Sequence, residues 1–435
     1  MKEINDILSF VMKNIDEIRT LLIEQREEFL TKDLGVERTK LGELLSYRDA
    51  PFSVIISGLR RVGKSTFLAQ MARRLYPKND FFYVNFEDER FISFTVEDFT
   101  KLHELLITLF GNHKTFIFDE IQNIEGWERF VRRMEESGYK FYITGSNASL
   151  LSRELGTRLT GQYIPIELLP FSFEEFLRFK QIDLTDPMRM TTVQRGVIKQ
   201  ALAEYVQKGG IPAALRYPEI PWHKTLYDEI INRDIAARYK IMDTKELREL
   251  SFNLLSNIAN LVSFNKLKEL LKLGSVNTVI NYIDRLEKAW LLLVLNKYAY
   301  SVKEQQIANK KIYAIDTGLV KTIAFSFSED KGRFLENVVF LELIRRHEDI
   351  YYYKTTKNKE VDFYLPKKKL FVQVCLGVFD KTTRERESRA LSEAGEETGQ
   401  GRFMILTEDE KDTFTYKGVT IHVIPIYEWL LQAEK

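Results

Sequence analysis

Eight consecutive residues carry the plainest chemistry in this 435-residue sequence: Gly58-Leu59-Arg60-Arg61-Val62-Gly63-Lys64-Ser65. Their spacing is GxxxxGK[ST], set between an apolar run (Ser53-Val54-Ile55-Ile56-Ser57) and a helix-like stretch from Thr66 to Ala72. Strand, glycine-rich turn and helix is the context in which this motif wraps a phosphate chain. The two glycines let successive backbone N–H groups point inward, and the positive end of the helix adds to their field. Gly58, Arg60, Arg61, Val62, Gly63, Lys64, Ser65 and Thr66 are therefore the expected nucleotide contacts. Lys64 brings a mobile charge to the β- and γ-phosphates, and the Ser65 hydroxyl is an expected Mg²⁺ ligand. The expected ligands are ATP and Mg²⁺.

A second motif, Thr115-Phe116-Ile117-Phe118-Asp119-Glu120, ends an apolar strand in two carboxylates. In a parallel sheet those carboxylates reach the same edge as the phosphate-binding loop. Asp119 is expected to share the Mg²⁺ shell with Ser65, and Glu120 to polarise the attacking water as general base. Helix N-capping is the plain structural alternative for Asp-Glu after a strand. A third strand end, Tyr142-Ile143-Thr144-Gly145-Ser146-Asn147, offers Asn147 or Ser146 as a polar sensor of the γ-phosphate. Either residue would also serve as a helix cap. Asn85, Glu87 and Asp88 follow another strand on that edge, as Mg²⁺-shell contacts or as loop caps.

The elements that must position these groups alternate in type. Apolar strands are predicted at 53–57, 81–86, 115–119, 140–144 and 163–168, with helices around 65–76, 96–110 and 125–137. Buried strands separated by helices make a parallel sheet covered on both faces. Residues 1 to 46 carry apolar positions at helical spacing (Ile7, Leu8, Val11, Ile15, Ile18, Leu21, Leu22). One or two amphipathic helices packed on that core follow from the period. Residues 171–240 read as helical, interrupted at Pro187, Gly209-Gly210 with Pro212, and Pro218 through Pro221.

Composition bounds the remainder. Hydrophobic content of 44%, charged content of 29% and a net charge of +1 describe an ordinary folded chain of several domains. One cysteine, Cys375, leaves no internal disulfide and no thiolate cluster, and five scattered histidines make no metal site. No signal peptide is evident, and the apolar run from Trp290 to Leu295 is too short to cross a bilayer. A cytoplasmic protein without membrane contact is expected.

The sequence resembles a family of archaeal and bacterial AAA-type ATPases that carry a C-terminal domain of unknown function. The resemblance rests on Gly58 to Thr66, Tyr83-Val84-Asn85-Phe86-Glu87-Asp88, Phe118-Asp119-Glu120-Ile121-Gln122 and Thr144-Gly145-Ser146-Asn147-Ala148. Leu169-Pro170-Phe171-Ser172-Phe173-Glu174-Glu175-Phe176-Leu177, Gly209-Gly210-Ile211-Pro212 and Glu360-Val361-Asp362-Phe363 extend it through nearly the whole chain after residue 50. It implies an α/β architecture: an AAA+ P-loop core (47–170), a helical lid (171–243), a winged helix (244–302) and a restriction-endonuclease-like domain (303–435), behind an N-terminal helical segment (1–46). The family commonly has Gly-Arg shortly before its Pro-Phe-Ser-Phe segment, a trans-acting arginine. Here the pair reads Gly161-Gln162, and Arg158 or Arg153 is the available substitute. An arginine finger is worth roughly 10³–10⁵ in rate, so its loss implies slow turnover.

Helices are expected at 247–262, 263–271 and 277–288, followed by a strand pair within 291–300, which is a helix-turn-helix with a wing. Val279, Ile280, Ile283 and Leu286 form the expected buried stripe of the third helix. Asn277, Thr278, Asn281 and Arg285 are candidates for a DNA groove, with Lys266, Lys268 and Lys272 for phosphates. The same fold also serves domain packing or oligomer contacts. In the last block Glu336 lies on a helix (332–347), Asp362 on a strand and Gln373 on the next, the layout of a Mg²⁺-dependent PD-(D/E)xK nuclease. Its lysine position is Cys375, and a neutral thiol lacks the charge. Lys381 and Lys354 are the nearby alternatives. The expected domain is a nuclease-like fold without cleavage, its basic loops (354–359, 366–369, 381–389) available to nucleic acid or assembly, with plain solvated charge as the structural alternative.

Two functional readings follow. One is an oligomeric AAA+ ATPase that couples turnover to DNA or another nucleic acid. The other is a slow nucleotide-gated switch or scaffold for protein partners.

Overall fold

The computed structural model describes residues 2–146, 163–183, 189–324, 331–347, 349–399 and 401–432, with side chains from residue 16 onward. The chain divides into two compact units, Met1–Leu168 and Leu169–Lys435.

In the first unit the β-branched and aromatic runs form strands β1 (Ser53–Ser57), β2 (Phe82–Asn85), β3 (Thr115–Asp119), β4 (Lys140–Gly145) and β5 (Tyr163–Glu167). All neighbours pair in parallel, in the order β2-β3-β4-β1-β5. Strand β1 lies between β4 and the edge strand β5, so the loop that follows it opens between those two. Helices Lys64–Leu75, Phe99–Phe110 and Trp127–Glu136 cover the faces, and a phenylalanine-rich core (Phe82, Phe99, Phe116, Phe118, Phe130, Phe141) fills one side. The N-terminal period resolves into helices Lys2–Thr31 and Leu41–Ser46. Leu21 and Leu22 of the first are fully buried in that core. Gln25 donates to Asn85 O and accepts from Asn85 N, each at 2.9 Å, and so satisfies the outer edge of β2. Phe29 stacks on Tyr83 with ring centres 4.0 Å apart.

The second unit begins with the helices Phe173–Phe179, Thr192–Lys208, Pro212–Arg216 and Trp222–Glu229, the last continuing through a wide turn to Ala237. Helix Lys245–Ser256 follows. It ends short of the expected residue 262, because Ala259 adopts a left-handed φ of +60° and the chain turns into strand β6 (Leu261–Val262). Helices Phe264–Leu270 and Val276–Lys288 come next, then β7 (Leu292–Leu295) and β8 (Lys310–Ala314). The strand pair expected within 291–300 is one strand, β7; its partner β8 lies fifteen residues further on, after helix Val302–Ile307. Strand β8 is central in the sheet β6-β8-β7.

The C-terminal sheet is mixed: β9 (Tyr351–Lys354), β10 (Glu360–Leu365), β11 (Leu370–Val374), β12 (Arg402–Thr407), β13 (Asp412–Tyr416) and β14 (Val419–Pro425). Their order is β13-β14-β12-β11-β10-β9, with β11-β12 and β12-β14 parallel. Helix Lys331–Arg346 precedes it and helix Lys381–Thr398 crosses between β11 and β12. Residues 381–389, expected as a charged loop, are the first half of that helix. Asp380 caps it by accepting from Thr383 N at 2.7 Å, and Glu385–Arg389 is an i,i+4 pair. Among the described residues no helix is long and apolar enough to cross a membrane.

Candidate nucleotide site

The sheet order brings the ends of β1, β3 and β4 side by side. Gly58, just after β1, lies so close to Leu168 that an added Cβ would sit 2.2 Å from its carbonyl oxygen. Gly63 has φ +94° and caps helix Lys64–Leu75, a conformation that favours glycine. Lys64 is buried; its Nζ donates to Gly58 O (3.2 Å) and Leu59 O (3.3 Å) and pairs with Glu120 Oε1 at 3.2 Å. The lysine thus sits under the loop that it would bridge to phosphate. Ser65 donates to Asp119, which is wholly buried. A hydroxyl and a carboxylate are the hard oxygen donors that Mg²⁺ takes, so these residues fit that ion.

Glu120 follows β3 with a φ of +52°. A left-handed non-glycine backbone costs on the order of 1 kcal/mol and is retained where surroundings impose it. Here the Glu120 N–H donates to Thr144 Oγ1 at 3.0 Å while that hydroxyl donates to Asp119. Thr144 therefore fixes both carboxylate residues from the neighbouring strand. Gln122 donates to Glu120 Oε2 and, at 3.4 Å, to Ser146 Oγ. The Tyr83 hydroxyl donates to Asp119 Oδ2 at 3.3 Å. Arg38 supports the loop from outside the motif, donating to Val62 O at 2.9 Å.

Charge is divided unequally across the pair. Burial, reinforced by Glu120, pushes the Asp119 carboxyl above its usual range against the Ser65 and Thr144 hydroxyls. Burial also works against ionisation of Glu120, but Lys64, the Gln122 amide and Arg60 outweigh it and hold that carboxyl low. Glu120 is thus kept as an anion beside Lys64.

The expected residues Gly58, Arg60, Arg61, Val62, Gly63, Lys64, Ser65 and Thr66 form the loop and helix start; Arg61 has φ +63°. Arg60 pairs with Glu87 at 3.1 Å. Asn85 accepts from Glu87 N, and Asp88 accepts from Arg90 N and pairs with the Arg90 side chain, so these two behave as loop caps. Asn147, Arg153, Arg158 and Gln162 lie outside the described residues. Thr144, Tyr83, Gln122 and Arg38 were not expected at the site. Thr144, Tyr83 and Gln122 lie in stretches that carry the family resemblance, but only Thr144, a hydroxyl at a strand end, had a signal of its own.

Residues 51–177 match the family described as an AAA domain; 199–330 and 331–429 match two domains of unknown function, DUF8612 and DUF4143. An uncharacterized protein of Methanocaldococcus jannaschii is 35% identical over 398 residues, 87% of this chain and 88% of that one. The chain belongs to this AAA-domain family. A bacterial relative in the family, an uncharacterized protein of Haemophilus influenzae, is 31% identical over 369 residues (81% of this chain, 90% of that one). Among solved structures, a Walker-type ATPase of Pyrococcus abyssi covers 66% of this chain and 95% of its own at 15% identity. Its TM-score of 0.41 is too low to add to the assignment. The chain carries an AAA-type ATPase domain on a P-loop α/β core, with a separate mixed sheet in its C-terminal domain.

Elsewhere in the chain two further sets of expected residues take definite positions. On helix Val276–Lys288, Val279, Ile283 and Leu286 are buried, whereas Ile280, expected in the same stripe, is exposed. Asn277 and Asn281 are exposed beside it; Arg285 lies over the Tyr239 ring at 4.5 Å and is half-buried. Lys266 and Lys272 are exposed and Lys268 half-buried. In the C-terminal domain Glu336, Asp362 and Gln373 come together: Gln373 Oε1 accepts from Asp362 N at 3.2 Å. Burial, then Glu387 and Asp362, pushes the Cys375 thiol up to about 12, which makes it a neutral group. The lysine that meets Asp362 is neither Lys354 nor Lys381 but Lys311 of β8.

Proposed function

We propose that this protein binds ATP at Gly58–Thr66 and hydrolyses it, and that the cycle is coupled to nucleic acid through the helices and sheet of residues 245–314. The observation that carries the first half is the convergence of Lys64, Ser65, Asp119 and Glu120 at one sheet edge, with Glu120 ionised and aimed by Thr144 and Gln122. Ser65 and Asp119 would hold Mg²⁺, which supplies charge neutralisation at the phosphates. Lys64 exchanges its present partners, two loop carbonyls and Glu120, for phosphate oxygens. Glu120, released from the lysine, orients and deprotonates the attacking water. Asn147 is assigned the γ-phosphate sensor and Arg158 the arginine offered to a neighbouring copy, which makes the active form an oligomer.

Support for the second half is the helix–strand–helix–helix–strand–helix–strand order of 245–314, whose three strands form one sheet, read as a winged helix with helix Val302–Ile307 inserted between its last two strands. Asn277 and Asn281 are exposed on its third helix, and Lys266 and Lys272 on the approach. A second reading, docking of a protein partner in a slow switch, is favoured by the exposed Ile280 and by Asp284, which pairs with Lys288 on the same helix. Both readings place the protein in the cytoplasm. The deciding experiment is the rate of phosphate release with and without single-stranded, duplex and four-way-junction DNA, with Lys64→Ala as control. Coupling predicts a severalfold rise with at least one of these that weakens steeply with salt. A rate that none of them changes overturns the nucleic-acid reading and leaves the switch.

A further inference from the structure

The C-terminal domain has the layout of a metal-dependent nuclease centre, yet its residues do not fit a metal. Lys311 is the reason. It lies on β8, all of whose residues are buried, and its side chain is 2% exposed. Its Nζ is 2.9 Å from Glu336 Oε1, 2.7 Å from Glu360 Oε1 and 2.9 Å from Asp362 Oδ1. An ammonium has three N–H donors, and three carboxylates take them. Further donors are directed at two of the same carboxylates: Tyr313 O–H to Glu336 Oε1 (2.6 Å) and Val374 N–H to Asp362 Oδ2 (2.9 Å). Gln373 spends its carbonyl oxygen on Asp362 N and hydrogen-bonds Glu387 with its side chain. One oxygen of Glu336, one of Glu360 and both of Asp362 are thus engaged by protein donors, and the point between them that a divalent ion would occupy is filled by the ammonium. Among the described residues no group of three or more His, Cys, Asp or Glu side chains is arranged to hold a metal ion.

We propose that the Lys311 ammonium is the resident cation of this centre: it takes the position a divalent metal would hold between Glu336, Glu360 and Asp362, and the centre works as a clasp that excludes metal. The clasp joins two stretches that different family models match. Lys311 belongs to the stretch matched as DUF8612 (199–330) and its three partners to the stretch matched as DUF4143 (331–429). Asn337, the next helix residue after Glu336, continues the junction by donating to Ala314 O (2.9 Å) and accepting from Ala314 N (2.8 Å). Tyr313 stacks on Phe340 at 4.0 Å, and Phe340 on Phe363 at 6.0 Å, so an aromatic layer seals the ionic centre. Burial alone would strip the proton from Lys311, but Asp362, Glu336 and Glu360 outweigh it and keep the amine charged. The sheet β6-β8-β7, which carries the proposed nucleic-acid helix, is thereby fastened to the C-terminal sheet by charge rather than by a bound ion.

The test titrates the nucleotide-free, full-length protein with Mn²⁺ as the probe. Wild type and Asp362→Asn should take up the same number of ions, whereas Lys311→Met should gain one Mn²⁺ that Lys311→Met/Asp362→Asn lacks. Thermal melting gives the second readout: Mn²⁺ should raise the Tm of Lys311→Met through that site and leave the Asp362→Asn double variant unmoved. A folded Lys311→Met with no Asp362-dependent Mn²⁺ would overturn the proposal. So would Mn²⁺ uptake, or Mg²⁺-dependent DNA cleavage, by wild type that Asp362→Asn abolishes. That last comparison needs no Lys311 variant and decides the matter even where Lys311→Met fails to fold.

Discussion

A single hydroxyl, that of Thr144, sits between the two carboxylate residues of the nucleotide site. It donates to Asp119 and accepts from the Glu120 N–H, a role that the strand-end motif containing it did not assign. Thr144→Val keeps the shape and removes both bonds, leaving a buried carboxylate oxygen and a buried amide short of a partner. Each lost bond of this kind costs about 1–3 kcal/mol. Turnover should fall by about ten- to a hundredfold, since 1.4 kcal/mol is a factor of ten, while nucleotide affinity changes less. Steady-state phosphate release beside a nucleotide titration would show it; a variant within twofold of wild type in both would contradict the role. Residues of the loop and strand motifs were legible because their chemistry depends on sequential spacing alone. Thr144, Tyr83 and Gln122 were not, because their contacts depend on the β3–β4 and β2–β3 register. Lys311 was the least legible. It meets carboxylates 25, 49 and 51 residues further along the chain, and in sequence it is one lysine in Asn309-Lys310-Lys311.

At the scale of elements, helix Val276–Lys288 and strand β7 are joined by Glu287, whose Oε1 accepts from Val294 N at 3.0 Å. Burial pushes this carboxyl up to about 7, with Asp284 adding and the Val294 bond and Lys288 opposing. The folded chain thus holds the Glu287 proton more tightly than the unfolded chain does. The stability this group contributes is therefore present below the unfolded pKa of about 4.3 and is lost as pH rises through about 7. Glu287→Gln keeps the acceptor and removes the titration. It should be more stable than wild type by about 1–3 kcal/mol at pH 8 and nearly equal at pH 4.5. Urea unfolding at both pH values measures this, and a difference independent of pH would refute it. Most strands and helices were legible from period alone. Of the misjudged ones, 257–262 and 296–300 turn on non-local pairing: β6 and β7 exist as strands because β8 lies between them. The charged 381–389 stretch is the first half of helix Lys381–Thr398, whose buried residues Glu387, Leu391, Ala394 and Gly395 recur at helical spacing mostly beyond it.

For the whole molecule, the motif pair was enough to predict the parallel core, and the family match agrees with it. The proposed trans arginine is the part no local rule assigns, since the partner proposed for it would lie on another chain. The proposed ATP cycle and its coupling rest on the claim that Lys64, Asp119 and Glu120 form a working hydrolytic site. Phosphate release from Mg·ATP, measured with nucleotide affinity for wild type, Lys64→Ala and Glu120→Gln, tests it most directly. Wild type should turn over; Lys64→Ala should lose nucleotide binding; Glu120→Gln should bind normally and turn over about 10²–10⁴-fold more slowly. A Glu120→Gln protein that releases phosphate at the wild-type rate would contradict the account.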